Sequence, residues 1–187
     1  MGSSLDAAVR ALSGGELVVY PTDTLLGVGA RADDERAVAR LVRAKERPGS
    51  LPISVAVSSL DEVERLARLP PVSRRFVRRE LPGPFTVLVS PSDTARRELA
   101  PSLLRDPTLG LRLPDHPVAR ELCRRAGPIT ATSANRHGEP PARTVAEARR
   151  AFGASVRVYL PARPRPSGTP STIVDLTGPV PRPVVRR

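Results

Sequence analysis

The stretch Leu109-Gly110-Leu111-Arg112-Leu113-Pro114-Asp115-His116-Pro117-Val118-Ala119-Arg120-Glu121-Leu122-Cys123 decides the fold. Leu109 to Leu113 reads as a strand, and Pro114-Asp115-His116-Pro117 as the turn that converts it into a helix, with proline at a position suited to a helix start. Val118, Ala119, Leu122, Cys123 and Ala126 share one helical face, so the cysteine reads as a packed thiol rather than a nucleophile. Ile129 to Thr132 follows as a buried strand that runs into a polar loop. Strand, helix and strand in succession are the mark of an α/β domain.

The same alternation extends in both directions. Towards the N-terminus, a helix is expected from about Leu5 to Leu12, after Ser3-Ser4 and stopped by Gly14-Gly15. A short strand Leu17 to Tyr20 and a turn at Gly27-Val28-Gly29 come next. Asp33 to Lys45 reads as a helix, with acids in its first turn and Pro48-Gly49 at its end. Ile53 to Val57 is a strand, and Ser58-Ser59-Leu60-Asp61-Glu62 starts a helix running to about Leu69. A short helix begins at Val72, and Pro82-Gly83-Pro84 breaks the chain before the strand Phe85 to Val89. Towards the C-terminus lie a helix Val145 to Phe152, a strand Val156 to Leu160, a proline-rich loop Pro161 to Pro170 and a strand Thr172 to Leu176. There is no internal repeat, and residues 1–187 read as one domain.

Composition narrows the function classes. At 187 residues the chain can bury a core without disulfides, and its one cysteine allows no internal bridge, which fits a reducing cytoplasm. No apolar run approaches a membrane span, so a soluble cytoplasmic protein with no membrane partner is expected. The net charge of +11 implies attraction to anions without saying which. With no Trp, and only Phe76, Phe85, Phe152, Tyr20 and Tyr159 as aromatics, the chain is poorly equipped to stack single-stranded RNA. Two histidines, His116 and His137, and one cysteine do not make a zinc site of the usual kind. No G-x-S-x-G elbow supports a hydrolase triad, and His116 between Asp115 and Pro117 reads as a turn residue.

Of thirty basic residues, twenty-nine are arginine and one is Lys45. A chain so biased towards guanidinium keeps an ammonium either where a compact, titratable point charge is needed or simply at a solvated helix end. Four polar clusters adjoin apolar strands, where open α/β sheets place ligand contacts. Pro21-Thr22-Asp23-Thr24 offers hydroxyls and a carboxylate, and is equally an ordinary capped turn. Lys45 and Arg47 suit a polyanion, although neither a Walker A loop nor G-x-G-x-x-G is present. Thr108 and Arg112 with Thr130-Ala131-Thr132-Ser133-Ala134-Asn135 suit a carboxylate or phosphate, and a loop role fits them too. Pro170-Ser171-Thr172-Ile173-Val174-Asp175, with Arg182 beyond, is the fourth.

Taken in order, these clusters resemble the YrdC family of threonylcarbamoyl-AMP synthases over nearly the whole chain. Pro21-Thr22-Asp23-Thr24 looks like the opening motif, Lys45-Glu46-Arg47 like the lysine-x-arginine pair, and Ser133-Ala134-Asn135 like the serine-x-asparagine loop. Leu111 to Pro117 and Pro170 to Asp175 resemble two further signatures. The resemblance implies an α/β fold whose twisted mixed parallel and antiparallel sheet, flanked by helices, encloses a large electropositive cavity. It implies a nucleotidyltransferase that makes L-threonylcarbamoyladenylate and pyrophosphate from L-threonine, bicarbonate and ATP, with Mg²⁺. Downstream, threonylcarbamoyl-transferase proteins would pass the group to tRNA.

Carried over by position, Lys45, Arg47, Ser133 and Asn135 are expected to act on the phosphates, Thr22, Thr24, Arg112 and Ser171 to hold threonine, and Thr108, Thr132 and Arg182 to contact the nucleotide. Three positions depart from the pattern. Leu26 stands where Tyr is frequent, Leu51 where Lys or Asn is, and Ala56 where some relatives have His, which would strip polar groups from the cavity. These departures support a first alternative, a paralogue acting on another carbamoyl or acyl adenylate. A second alternative is a non-catalytic RNA-binding module of the same fold. The chain resembles the short form of the family, ending at Arg187 soon after the last motif, with Pro161 to Pro170 as a candidate lid.

Overall fold

The computed structural model describes residues 2–184, so Arg187, on which the short-form reading rests, lies outside the described residues. Helix α1 (Gly2–Ser13) is followed by the hairpin β1 (Val18–Pro21) and β2 (Leu26–Gly29). Helix α2 (Glu35–Ala44) begins where the Asp34 carboxylate accepts the N–H groups of Arg36 and Ala37, which satisfies two donors that a helix start leaves bare. Strand β3 (Ser54–Ala56), helix α3 (Leu60–Leu66), strand β4 (Ala67–Arg68), helix α4 (Pro71–Glu80) and strand β5 (Phe85–Pro91) complete the first half. Helix α5 (Asp93–Glu98), a 3₁₀ turn Pro101–Leu104 and strand β6 (Leu109–Arg112) lead to helix α6 (Pro117–Ala126). Strand β7 (Ile129–Ser133), helix α7 (Val145–Phe152), strands β8 (Val158–Tyr159), β9 (Thr172–Asp175) and β10 (Arg182–Val184) finish the chain. No helix of the described residues is long and apolar enough to cross a membrane.

The strands join in the order β10-β9-β5-β6-β3-β7-β2-β1-β8, with β4 pairing β5 to one side. The pairs β5–β9, β3–β6 and β1–β8 are parallel and the others antiparallel, so the sheet is mixed as expected. Side chains alternate between its faces. On one face Val19, Val28, Val55, Val87, Leu111 and Val174 meet Val38 and Leu41 of α2, Val63 and Leu66 of α3, and Phe152 of α7 in the larger core. On the other, Val18, Tyr20, Ala56 and Ile129 pack against Ala8 and Leu12 of α1 and Leu122 and Cys123 of α6. Helices α1 and α6 cover only part of that second face. What they leave open is the site.

Three sequence expectations are corrected, and two elements were not expected. Gly27-Val28-Gly29 is not a turn but the body of β2, with Gly27 opposite Tyr20. Glycine is needed there because a Cβ on Gly29 would stand 2.9 Å from the Tyr20 ring, so the two residues that look like turn punctuation make room for a buried aromatic. Helix α3 stops at Leu66 rather than Leu69, since Ala67 and Arg68 leave it to pair with Pro91 and Ser90. Helix α1 starts at Gly2, ahead of Ser3-Ser4. Helix α5 and strand β10 were not expected from sequence: the first is a six-residue polar helix whose Ser92 cap was passed over, and the second, Arg182-Pro183-Val184, sets a proline on a sheet edge.

Candidate active site

A cavity of about 470 Å³ opens on the uncovered part of the second face. Its floor is the sheet itself: Ser54 of β3, Thr86 of β5, Arg112 of β6 and Ala131 and Ser133 of β7 line it together with Ile173 of β9. Of the residues singled out from sequence, Thr22, Thr24, Arg47, Arg112, Thr132, Ser133 and Ser171 line this cavity.

At one end stands the turn after β1. The Thr22 hydroxyl donates to the Leu25 carbonyl at 2.7 Å and accepts the N–H groups of Thr24 and Leu25. Its single proton is thus spent, and the 3.0 Å contact between the two hydroxyls is Thr24 donating to Thr22. Thr22 therefore shapes the turn, and Thr24 is the hydroxyl presented beyond it. Arg112 reaches that turn from the end of β6, donating through one Nη to the Thr24 hydroxyl at 2.9 Å and to Asp23 at 3.1 Å. The Thr86 and Ser171 hydroxyls bond each other at 2.8 Å in the same wall. Sequence reasoning passed over Thr86, although its register opposite Ile173 follows once β5 and β9 are paired in parallel.

At the other end, Lys45 is only 4% exposed and its Nζ donates to the carbonyls of Ser133 at 2.5 Å and Asn135 at 2.6 Å. Burial, and then the neighbouring Arg47 charge, pull its pKa from the ordinary 10.5 to about 8. Three N–H groups and two carbonyl partners leave one donor for an anion. Arg47 projects into the cavity, with one Nη on the Pro52 carbonyl at 3.1 Å and its buried Nε without a protein partner among the described residues. Burial also pulls the Arg47 guanidinium below its usual value. The Lys45 carbonyl accepts the N–H of His137, which lines the cavity and which the sequence reading weighed only as a zinc ligand.

Four expected residues sit elsewhere. Lys45 itself lies directly behind the lining, bonded to it through Ser133. Asn135 lines an adjoining depression with Glu139 and Arg143, its amide donating to the carbonyls of Arg136 and Glu139 while its buried Oδ1 has no protein partner among the described residues. Thr108 precedes β6 and bonds Asp106, and Arg182 lies exposed on the outermost strand opposite Asp175. Neither lines the cavity, although the alternation along β6 and across β9 and β10 puts both towards its face. Of the three departures, Leu26 lines the cavity, whereas Leu51 is exposed and Ala56 is fully buried under α6. Leu51 and Ala56 are therefore not part of the lining.

The loop Pro161 to Pro170 straps the Asp23–Thr24 turn from outside. Ser167 N–H donates to the Asp23 carbonyl at 3.0 Å and Gly168 N–H to the Thr24 carbonyl at 2.8 Å. His116 fixes the loop's other end. Its Nδ1 accepts the Val118 N–H at the start of α6, so Nε2 carries the proton and donates to the Pro164 carbonyl at 3.0 Å. The turn role expected of His116 is what the geometry gives it.

Known proteins are similar to this chain in sequence and fold. The Sua5/YciO/YrdC family model, described as telomere recombination, matches residues 10–187. A Mycobacterium tuberculosis protein named provisionally as a threonylcarbamoyl-AMP synthase is 42% identical over 177 residues, which is 94% of this chain and 80% of its own. The threonylcarbamoyl-AMP synthase of Chromohalobacter salexigens is 40% identical over 172 residues, 90% of each chain. Pyrococcus abyssi Sua5, solved in complex with L-threonine, matches 96% of this chain with a TM-score of 0.83 at 30% identity, and this chain spans 52% of it. With a match from residue 10 to the end and the motif residues gathered at one cavity, the chain belongs to the Sua5/YciO/YrdC family.

Proposed function

We propose that this protein is a threonylcarbamoyl-AMP synthase, a nucleotidyltransferase that joins L-threonine, bicarbonate and the adenylyl group of ATP. The observation that carries the reading is convergence: residues from five separated motifs, Thr24, Arg47, Arg112, Ser133 and Ser171, meet at one cavity of about 470 Å³. The threonine amine attacks the carbon of bicarbonate, or of carbon dioxide derived from it, to form a carbamate, with loss of water in the first case. A carbamate oxygen then attacks the α-phosphorus, and the bond to the β-phosphate oxygen breaks to release pyrophosphate.

This chemistry asks the protein for position and fixed charge more than for a strong acid or base. Lys45, Arg47 and the Ser133 hydroxyl supply donors for charge growing on the phosphates, and Asn135 holds the loop that carries Ser133. Thr24, Arg112 and Ser171, with Thr86, face the amino acid, and Thr22 builds the turn beneath it. Thr132 lines the path between the two ends, with Thr108 and Arg182 at the margin where the nucleoside would extend. Among the described residues no group of three or more His, Cys, Asp or Glu is arranged to hold a metal ion. Mg²⁺ would come with ATP and would offset charge on its phosphates.

Transfer of the threonylcarbamoyl group to tRNA falls to downstream proteins. The test is to incubate purified protein with ATP, bicarbonate and a panel of amino acids and to follow pyrophosphate and the adenylate. Release that requires both threonine and bicarbonate is expected; release with another acceptor alone, or none at all, overturns the reading.

A further inference from the structure

We propose that Asp23 is a positioning residue that makes the Arg112 end of the cavity net neutral and so sorts a zwitterionic amino acid to that end and the polyphosphate to the other. The inference deepens the function proposed above and rests on it. Arg112 and Asp23 pair at 3.1 Å with side chains only 11% and 13% exposed, so water and salt screen the pair little. The same Nη also donates to Thr24, and two acceptors on one nitrogen fix the guanidinium plane. The Asp23 main chain is itself held, because its carbonyl takes the Ser167 N–H.

The opposite end has no such compensation among the described residues. Lys45 bonds two carbonyls and Arg47 a third, none of them a charge. Glu46, the carboxylate between them in sequence, turns outward to Arg136 and both are well exposed. One end of the cavity thus carries two cations without a counter-ion, and the other a cation and an anion. A polyphosphate gains strongly at the first end and is repelled by Asp23 at the second. An amino acid zwitterion has no net charge to be drawn to the first end, and at the second its carboxylate meets Arg112 while its ammonium lies in the field of Asp23.

Asp23→Asn keeps an oxygen for Arg112 and the shape of the side chain while removing the charge. The expected result is a threonine KM raised roughly tenfold with kcat within about threefold of wild type. Inorganic tripolyphosphate is expected to compete with ATP alone in the wild-type enzyme and to become competitive against threonine as well in Asp23→Asn. Asp23→Glu, which restores the charge, should recover threonine KM and remove that competition. An unchanged threonine KM in Asp23→Asn with tripolyphosphate still competing with ATP alone overturns the proposal. So does a fall in kcat and melting temperature without a KM shift, which is what a purely structural role produces. Wild-type protein with no threonine-dependent pyrophosphate release sinks the underlying reading, and this proposal with it.

Discussion

Lys45 holds its charge where burial works against it, with two backbone carbonyls as its partners. The consequences for stability and activity run in opposite directions with pH. Because its folded pKa is lowered to about 8 from 10.5, the unfolded chain binds the extra proton between those values. Stability therefore rises as pH climbs through that window, and the gain is absent in Lys45→Met. Activity that needs the ammonium falls instead: kcat/KM for ATP should decline above about pH 8. The decline in kcat should come at higher pH, since bound phosphates favour the charged form. Melting curves and pH–rate profiles of both proteins check the pair of trends. Lys45→Arg should fold normally and lose on the order of 10²-fold in kcat, because a planar fork cannot place one short donor between two carbonyls and another on the anion; wild-type kinetics would return Lys45 to a plain structural role. The sequence made Lys45 conspicuous by its rarity among arginines. Its partners were not legible, since they lie at the end of β7 and in the loop after it, 88 and 90 residues away, and are backbone atoms with no residue signature.

At the scale of elements, what the sequence showed and what it hid separate by range. Helices with caps and an apolar face, such as α2 behind Asp34 and α6 behind His116 and Pro117, were readable because their signals are local. Strand β2 was not, because the reason for Gly27 and Gly29 is the Tyr20 ring lying across them. The same holds for the proline-rich loop, whose composition suggested a lid but not the two N–H bonds that bind it to the Asp23–Thr24 turn. Gly168 sits there at a φ of +85° with nothing within 4 Å of the point a Cβ would occupy, so Gly168→Ala meets backbone strain without a steric clash. The expected cost is about 1 kcal/mol, taken mainly from the strap. Hydrogen exchange should quicken at the Ser167 amide in this variant and slow in the wild type when ATP and threonine are added. Equal exchange with and without substrates would show that the loop is a fixed wall and not a lid.

The whole molecule combines a sheet face that its helices cover only in part with a net charge of +11. The first makes the cavity and the second sets the long-range field in which substrates arrive. A field of that sign accelerates and strengthens capture of a polyanion and leaves a zwitterion almost unaffected. Raising salt from about 0.05 to about 0.3 M shortens the screening length to well under 10 Å, so most of the distant arginines stop contributing. The KM for ATP should then rise several-fold while that for threonine changes by less than about twofold. Steady-state kinetics over a salt series, with Mg²⁺ held in excess, separates the two. Equal salt dependence of both constants would mean that the arginine-rich surface plays no part in sorting the substrates and that selection rests on the contacts at Lys45, Arg47 and Arg112 alone. The unequal response follows from the same asymmetry seen inside the cavity, where Asp23 cancels charge at one end and no described carboxylate cancels it at the other.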